Sequence, residues 1–397
     1  MEKPNDEEKK FITERVIKYI KKINSNINIE SISIKILKYA GGLNNDNYKI
    51  TIEKDSKVIN EYFFKIFKNK IDNKKLESDV QFLLSKKNLS PKLLEMNSEE
   101  KYRIDEYLPN ISYTDMENCL KDNVIENILS IILGFNNLYQ ICGYKIDNYQ
   151  IIYDEKKSIL NYNKDIISID FKINSFNSHI YEYLPKAEIA LKKFIESYNR
   201  NKGIIDLDSK IKDLKYYVDN YKNILVEDIF KHNGYFIFSH SDFHRGNIVH
   251  IGNNYDKLFV IDNEFINLNL IGYDLMYYLI KSVFNKGIIK DYLNVPNFYK
   301  IYLKYVNKFM NEYEGFISNK DNNIIEEKNN IEKIISSKEY YLRLIKLVLL
   351  FDIIYCCFLI NFEDEYVTKK AIFQFFNYLY LNIEILKKIE KYNEDEI

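Results

Sequence analysis

In "FSHSDFHRGNIV" (Phe238–Val249), two histidines, an aspartate, an arginine and an asparagine fall within a short stretch, although the whole 397-residue chain holds only five histidines. Apolar residues flank the cluster, Phe238 before it and Ile248–Val249 after it, so a polar loop is expected between short strands. Three chemistries suit such a loop: a metal site, a nucleophile site, or a loop that passes a phosphoryl group between molecules. The spacing favours the third.

His240, Asp242 and Asn247 fit H-x-D-x-x-x-x-N, the catalytic-loop pattern of protein kinases. In that pattern the aspartate receives the proton of the attacking hydroxyl and the asparagine holds Mg2+. Phosphoryl transfer also needs a second metal carboxylate, a cation on the nucleotide phosphates and a backbone cradle. Candidates for all three occur in kinase order. Asp262 ends the apolar strand "KLFVID", Lys65 lies in "YFFKIF", and Glu77 sits on the next helix, where an ion pair would hold the lysine. Gly41 and Gly42, the only Gly-Gly pair, fall at a strand-to-strand turn where bare backbone would approach phosphates. Each has a plainer reading when taken alone: a surface lysine, a solvated helix glutamate, a hairpin turn, a turn-forming aspartate. Their joint order is what points to a kinase.

Around these residues the periodicity changes twice. Residues 7–24 read as an amphipathic helix, with Phe11, Val16, Ile17, Ile20 and Ile23 near helical spacing. "SISIKILKY", "NYKITIE" and "KVINEYFFKIF" then read as an antiparallel meander, followed by a helix over 73–87 and the strand-like "KYRIDEYLPN", stopped by Pro109. From Thr114 the pattern is mainly helical, broken by "YFIFSH", "NIVHI" and "KLFVIDNEF". The expected fold is α+β and two-lobed. Residues 1–108 form an N-lobe with a small antiparallel sheet, and 109–397 a larger, mainly helical C-lobe. A cleft between two such lobes is a natural ligand site.

Bulk properties narrow the function. With 57 basic and 58 acidic side chains the formal net charge is -1, so no overall field draws nucleic acid or an anionic membrane. The charged start "MEKPNDEEKKFITERVIKYIKKIN" lacks the apolar core of a signal peptide, which argues for a cytoplasmic protein. The apolar run 344–360 is interrupted by Lys346 and Asp352 and reads as a buried helix, not a membrane span. Cys119, Cys142, Cys356 and Cys357 show neither zinc spacing nor a disulfide framework. The chain is rich in Lys, Asn, Ile and Tyr, so runs of these residues carry little information, whereas each Gly or Arg is notable.

Several segments resemble the choline/ethanolamine kinase and aminoglycoside phosphotransferase superfamily, which shares the two-lobed protein-kinase-like fold. "GGLNNDNY" is similar to its G-G-L-(S/T)-N-x-x-Y loop, "LLSKKNLSPKLLE" to its helix-to-strand stretch, "RIDEYLPN" to its hinge, and "IDNEFINLNLIGYDL" to its I-D-x-E-(F/Y)…N-x-x-G-(F/Y)-D segment. The resemblance implies ATP and Mg2+ as cofactors. It makes Asp242 the base, Asn247 and Asp262 the metal ligands, and Glu264 a further carboxylate near the metal. Gly41, Gly42, Asn45 and Lys65 would meet the nucleotide phosphates, Glu77 would steady Lys65, and Glu106, Tyr107 and Leu108 would meet the adenine edge through their backbone. Asp274 would brace the catalytic loop, and His240 would make a structural hydrogen bond. Asn44 stands where the family has Ser or Thr, and His244 is closer to the aminoglycoside branch.

A small-molecule alcohol is the expected acceptor, because only "NEFINLNLI" separates Asp262 from the next helix and no A-P-E motif follows. An amino alcohol of the choline/ethanolamine type comes first; aminoglycosides, methylthioribose and homoserine are alternatives. His244 and Arg245 are candidate substrate contacts. Choline-type cations are held by aromatic faces, and this chain has no Trp. Phe351, Tyr355 and Phe358 would substitute, with Asp352 or Glu363 attracting the amine; the plainer reading makes the rings core filling. Two rivals predict different behaviour. A hydrolase using His240, Asp242 and His244 would hold zinc tightly, and a catalytically silent pseudokinase would bind nucleotide without turnover. Oligomeric state is open at this level.

Overall fold

In the computed structural model the described residues are 2–39, 45–68, 74–97, 99–114, 118–138, 144–147, 150–153, 189, 212–213, 215–217, 236–252, 255–283, 295–312, 324–360 and 382–389. They group into two compact units. Residues up to 114 together with 246–266 make the first, and the described residues elsewhere make the second.

The first unit begins with α1 (Asp6–Ile23), started by a capping box in which Asn5 Oδ1 accepts the Glu8 N–H at 2.8 Å and Glu8 Oε2 accepts the Asn5 N–H at 3.0 Å. Asp6, Glu7 and Glu8 lie in its first turn and Lys21 and Lys22 in its last, matching the helix dipole. Its buried stripe is Ile12, Val16, Tyr19 and Ile20. Ile23, expected on that stripe, is 54% exposed because the helix ends there.

This stripe packs on an antiparallel sheet formed by β1 (Ile32–Lys38), β2 (Asn45–Lys54), β3 (Lys57–Phe67), β4 (Leu93–Asn97) and β5 (Tyr102–Glu106), in the order β1-β2-β3-β5-β4. Strand alternation divides the side chains between two faces. Tyr48, Ile50, Ile52, Tyr62, Phe64, Tyr102 and Ile104 share the core with α1. Full burial of each large apolar side chain is worth about 1.5–3 kcal/mol. The alternate residues Asn47, Phe63, Lys65, Arg103 and Asp105 fall on the other face, in register as Asn47↔Lys65, Lys65↔Arg103 and Phe63↔Asp105.

On that second side, α2 (Lys74–Lys86) buries Glu77, Val80, Gln81 and Leu84. Gln81 Oε1 accepts from Ser90 Oγ and Asn263 Nδ2, both at 2.8 Å, while Gln81 Nε2 donates to the Pro91 carbonyl at 2.7 Å. α2 is thereby fastened to the turn that follows Asp262. A three-stranded sheet, β11-β10-β6, completes this unit from β6 (Ile111–Tyr113), β10 (Ile248–Ile251) and β11 (Leu258–Val260).

In the second unit, β9 (Phe236–Ser239) pairs antiparallel with β12 (Asn267–Leu270). Helix α3 (Asp122–Asn136) packs on β9 and on α4 (Tyr273–Val283), and α4, α5 (Val295–Glu312), α6 (Ile324–Ile335) and α7 (Lys338–Ile360) pack on one another, while β7 (Tyr144–Asp147) and β8 (Gln150–Tyr153) form a separate hairpin. Gly272 starts α4 at φ +89, and a Cβ there would lie 2.6 Å from the Tyr302 ring, so the position requires glycine. The predicted architecture, a small antiparallel sheet followed by a helical part, is the one observed. Among the described residues no helix is long and apolar enough to cross a membrane.

Candidate active site

The charged residues of the first unit meet on the sheet face opposite α1. Lys65 Nζ donates to Glu77 Oε1 at 2.8 Å and lies 3.4 Å from Asp262 Oδ1. Arg103 adds a second cation: its Nη1 donates to Glu77 Oε1 at 3.0 Å and its Nε to Asp105 Oδ2 at 2.9 Å. Lys65, Glu77, Arg103 and Asp105 are each at most 4% exposed, so two cations and two carboxylates neutralise one another away from water. Burial raises the pKa of Glu77, but Lys65 and Arg103 outweigh it and the carboxyl ends below its ordinary value. At Asp105 burial wins over Arg103 and Lys65, and the carboxyl is pushed up to about 6. Lys65 is disfavoured by burial, yet Glu77 and Asp262 raise it overall.

Asp262 is different. Its side chain is 45% exposed and its backbone is left-handed, at φ 61. An aspartate tolerates that conformation better than most residues, and here it closes an apolar strand with the carboxylate turned out of the core. Antiparallel pairing of Ile248 with Val260 puts Asn247 and Ile261 side by side at the open end of the β10–β11 hairpin, where the Ile261 N–H donates to the Asn247 carbonyl at 2.9 Å. Asn45 Nδ2 donates to Glu264 Oε2 at 3.1 Å.

These groups border a cavity of about 350 Å³ formed wholly by the first unit. Lys65, Asn247 and Asp262 line it together with Glu106, Tyr107 and Leu108. Its apolar part comes from Leu108, Val249 and Ile261, which pack together, and from Phe63, whose ring lies 6.1 Å from that of Tyr39. Lys49 Nζ sits 4.2 Å over the Tyr107 ring. A cavity lined by apolar side chains together with Lys65 and Asp262 suits an aromatic base carrying an anionic tail. Gly41 and Gly42 lie outside the described residues.

The second unit holds the loop around Asp242. Ser241 is left-handed at φ 69, and Asp274 on α4 holds the strained turn by accepting the N–H of His240 at 2.8 Å and of Ser241 at 2.9 Å, one on each oxygen. His240 is fully buried between the Phe135 and Phe243 rings, and its Nδ1 accepts the Asp242 N–H at 3.3 Å. Tyr277 Oη donates to Asp242 Oδ1 at 3.1 Å, and His244 Nε2 lies 3.5 Å from Asp242 Oδ2. Burial raises the Asp242 pKa, but His244, His240 and Lys281 outweigh it and hold the carboxyl below its ordinary value. Arg245 is half-buried beside this loop.

The zinc arrangement does not form: among the described residues no group of three or more His, Cys, Asp or Glu is placed to hold a metal ion. The expected aromatic cage is only partly described. Phe351 contacts Tyr273 edge-on at 6.4 Å, whereas Tyr355 and Phe358 lie on α7 with side chains outside the described set. Glu363 lies outside the described residues. Asp352 is not open to a ligand. It pairs with Lys281 and accepts from Asn382 Nδ2 at 2.7 Å, at 1% exposure.

Sequence reasoning missed Arg103, Asp105, Tyr277 and Lys281. A signal existed for the first pair: Arg103 is one of five arginines in the chain, and Asp105 follows it at the same-face interval of a strand.

A small antiparallel sheet with a helix packed on each face, a lysine–glutamate pair reaching a strand-ending aspartate, and an aspartate loop braced from the next helix fit a small-molecule kinase. The chain belongs to the choline/ethanolamine kinase family, whose pattern it matches over residues 36–378. Among solved structures it is similar to a choline kinase from Cryptosporidium parvum, with 14% identity, 95% of both chains covered and a TM-score of 0.59. It is also similar to a Plasmodium vivax ethanolamine kinase, with 14% identity, 94% of this chain and 89% of that one covered, and a TM-score of 0.53. A putative aminoglycoside phosphotransferase from Ralstonia eutropha gives 11% identity, 95% and 98% coverage and a TM-score of 0.53. At such identities the likeness to solved structures concerns the fold. No curated protein sequence matches the chain.

Proposed function

We propose that this small-molecule phosphotransferase uses Mg2+-ATP and transfers the terminal phosphoryl group to the hydroxyl of a small alcohol. The observation that carries the reading is Lys65, buried, bonded to Glu77 and facing the exposed carboxylate of Asp262 across one wall of the 350 Å³ cavity. An aromatic base would lie against Phe63, Leu108 and Ile261 with its edge toward residues 106–108, and Lys65 would meet the phosphates. Asn247 and Asp262 offer hard oxygen donors at the open end of one hairpin, which suits Mg2+, with Glu264 nearby in sequence on the following turn. Bound there, the metal would neutralise charge on the phosphate oxygens.

Asp242 is the proposed base. Its depressed pKa keeps it ionised at neutral pH, ready to accept the proton of the acceptor hydroxyl as the phosphoryl group arrives. Tyr277 orients one of its oxygens, and Asp274 fixes the backbone on which it stands. His244 and Arg245 are the proposed contacts to the acceptor or the transferred phosphate.

For the acceptor, family membership puts amino alcohols of the choline and ethanolamine type first. Aminoglycosides come second, supported by His244. The test is ADP formation with a panel of alcohols containing both classes. Nucleotide-dependent stabilisation without ADP formation for any alcohol would favour a silent nucleotide-binding protein.

A further inference from the structure

Two rows of side chains cross the sheet face that borders the cavity. Lys65 pairs with Asn47 and Arg103 in one row, and Phe63 pairs with Asp105 in the next. Two residues of strand, about 6.6 Å, separate the rows. The lysine row belongs to the phosphate end of the proposed nucleotide. The second row leads directly into Glu106, Tyr107 and Leu108, toward which the base would point, and Asp105 itself lines the cavity. Asp105 is 3% exposed, and its two oxygens differ. Oδ2 accepts from Arg103 Nε at 2.9 Å, whereas Oδ1 is buried and has no hydrogen-bond partner among the described residues. A buried acceptor left unpaired is costly, and a charged one more so. A donor that a ligand brings into the cavity would offset that cost.

We infer that Asp105 reads the 6-position of the purine: its Oδ1 accepts a hydrogen of the exocyclic amino group of adenine and so selects ATP against nucleotides with a 6-oxo base. The inference rests on the phosphotransfer reading and deepens it by assigning the residue that chooses the base. Three observations carry it. Only one carboxylate oxygen is open, whereas pairing with both the N1–H and the 2-amino group of guanine would take two, and Arg103 holds the other. An oxo group in the same place would bring partial negative charge against Oδ1 in a site shielded from water, where repulsion is strong. The adjacent backbone offers no compensating donor at residue 106, because the Glu106 N–H is spent on the Lys92 carbonyl at 2.8 Å. Asn47 also lines the cavity with an unpartnered Oδ1, but it stands in the lysine row, and a rotated amide offers a donor as readily as an acceptor. A site built to bond a ligand N–H rejects the analogue that lacks it, since the buried acceptor is then left unpaired.

The test measures the affinity of the protein for the Mg2+ complexes of ATP, ITP and purine riboside triphosphate, which carry an amino group, an oxygen and a hydrogen at the 6-position. The measurement is made at about pH 8, above the Asp105 pKa of about 6. Purine riboside triphosphate keeps the ring nitrogens of ATP, so that comparison isolates the amino group. Wild-type protein should bind ATP about tenfold or more tighter than either analogue. In Asp105→Asn the amide oxygen stays on Arg103 and the NH2 turns toward the base, so the ATP-to-ITP affinity ratio should fall by about tenfold or more. Asp105→Ala, which removes the acceptor without adding a donor, should lose the preference for ATP over purine riboside triphosphate. Equal binding of the three nucleotides by wild type overturns the inference, as does a folded variant of either kind with wild-type ratios. If neither variant folds, the wild-type order decides alone. Affinity for none of the three would instead count against the phosphotransfer reading itself and take this inference with it.

Discussion

Lys65 and Glu77 meet at 2.8 Å with no more than 4% of either side chain exposed, and the same glutamate oxygen also accepts from Arg103. One carboxylate therefore holds two cations from adjacent strands. Removing it should be costly, because both charges would stay buried with fewer partners, Lys65 facing Asp262 at 3.4 Å and Arg103 bonded to Asp105 alone. We expect Glu77→Gln to lose about 3–5 kcal/mol of stability, the usual cost of breaking a buried ion pair from one side. Chemical denaturation measures this, and a loss below about 1 kcal/mol would mean the pair is solvated in solution.

Asp105 gives a pH signature. Its folded pKa of about 6 lies above the ordinary aspartate value of 3.8, so between these limits the folded protein binds more protons than the unfolded chain. The Asp105 contribution to stability is then fully present below about pH 4 and is lost as pH rises through about 6. Asp105→Asn removes this titration. Relative to wild type the variant should gain stability between pH 4 and pH 7, by on the order of 2–3 kcal/mol. Parallel stability curves for the two proteins over that range would refute the assignment.

Asp274 accepts the backbone N–H groups of His240 and of the left-handed Ser241 that follows it. Asp274→Ala should leave both donors unpaired, at about 1.5–3 kcal/mol for each charged hydrogen bond. The loop carrying Asp242 would relax, so kcat should fall while nucleotide affinity stays unchanged. A fall in nucleotide affinity with unaltered kcat is the opposite pattern and would assign Asp274 elsewhere.

Asp262 faces the cavity with its carboxylate exposed. We expect Asp262→Ala to abolish the Mg2+-dependent part of ATP binding, read by calorimetry with and without the metal. Unchanged Mg2+ dependence would remove Asp262 from the metal site.

Much of the fold was legible in the sequence because its periods are sharp. The α1 stripe, the meander and the α2 stripe show in spacing alone; Lys65 and Glu77 stand within the meander and α2, and Asp262 follows the apolar run of β11. The short strands β4, β6 and β12 were harder, since three to five residues carry almost no period. Arg103 and Asp105 escaped for a different reason. Alternation tells which residues share a face, but the sheet face opposite α1 reads as solvent-facing until α2 and the β10–β11 hairpin are seen to cover it. Tyr277 and Lys281 were hidden by composition: in a chain with 35 tyrosines and abundant lysine neither stands out. Asp352, with which Lys281 pairs, lies 71 residues away.

The central claim is that Asp242 accepts the proton of an alcohol while the first unit holds the nucleotide. Asp242→Asn tests it most directly, with ATP affinity and alcohol-stimulated ADP formation measured on the same preparation. We expect unchanged Mg2+-ATP affinity and turnover reduced by roughly 10²–10⁴-fold. Turnover within a few-fold of wild type would contradict it.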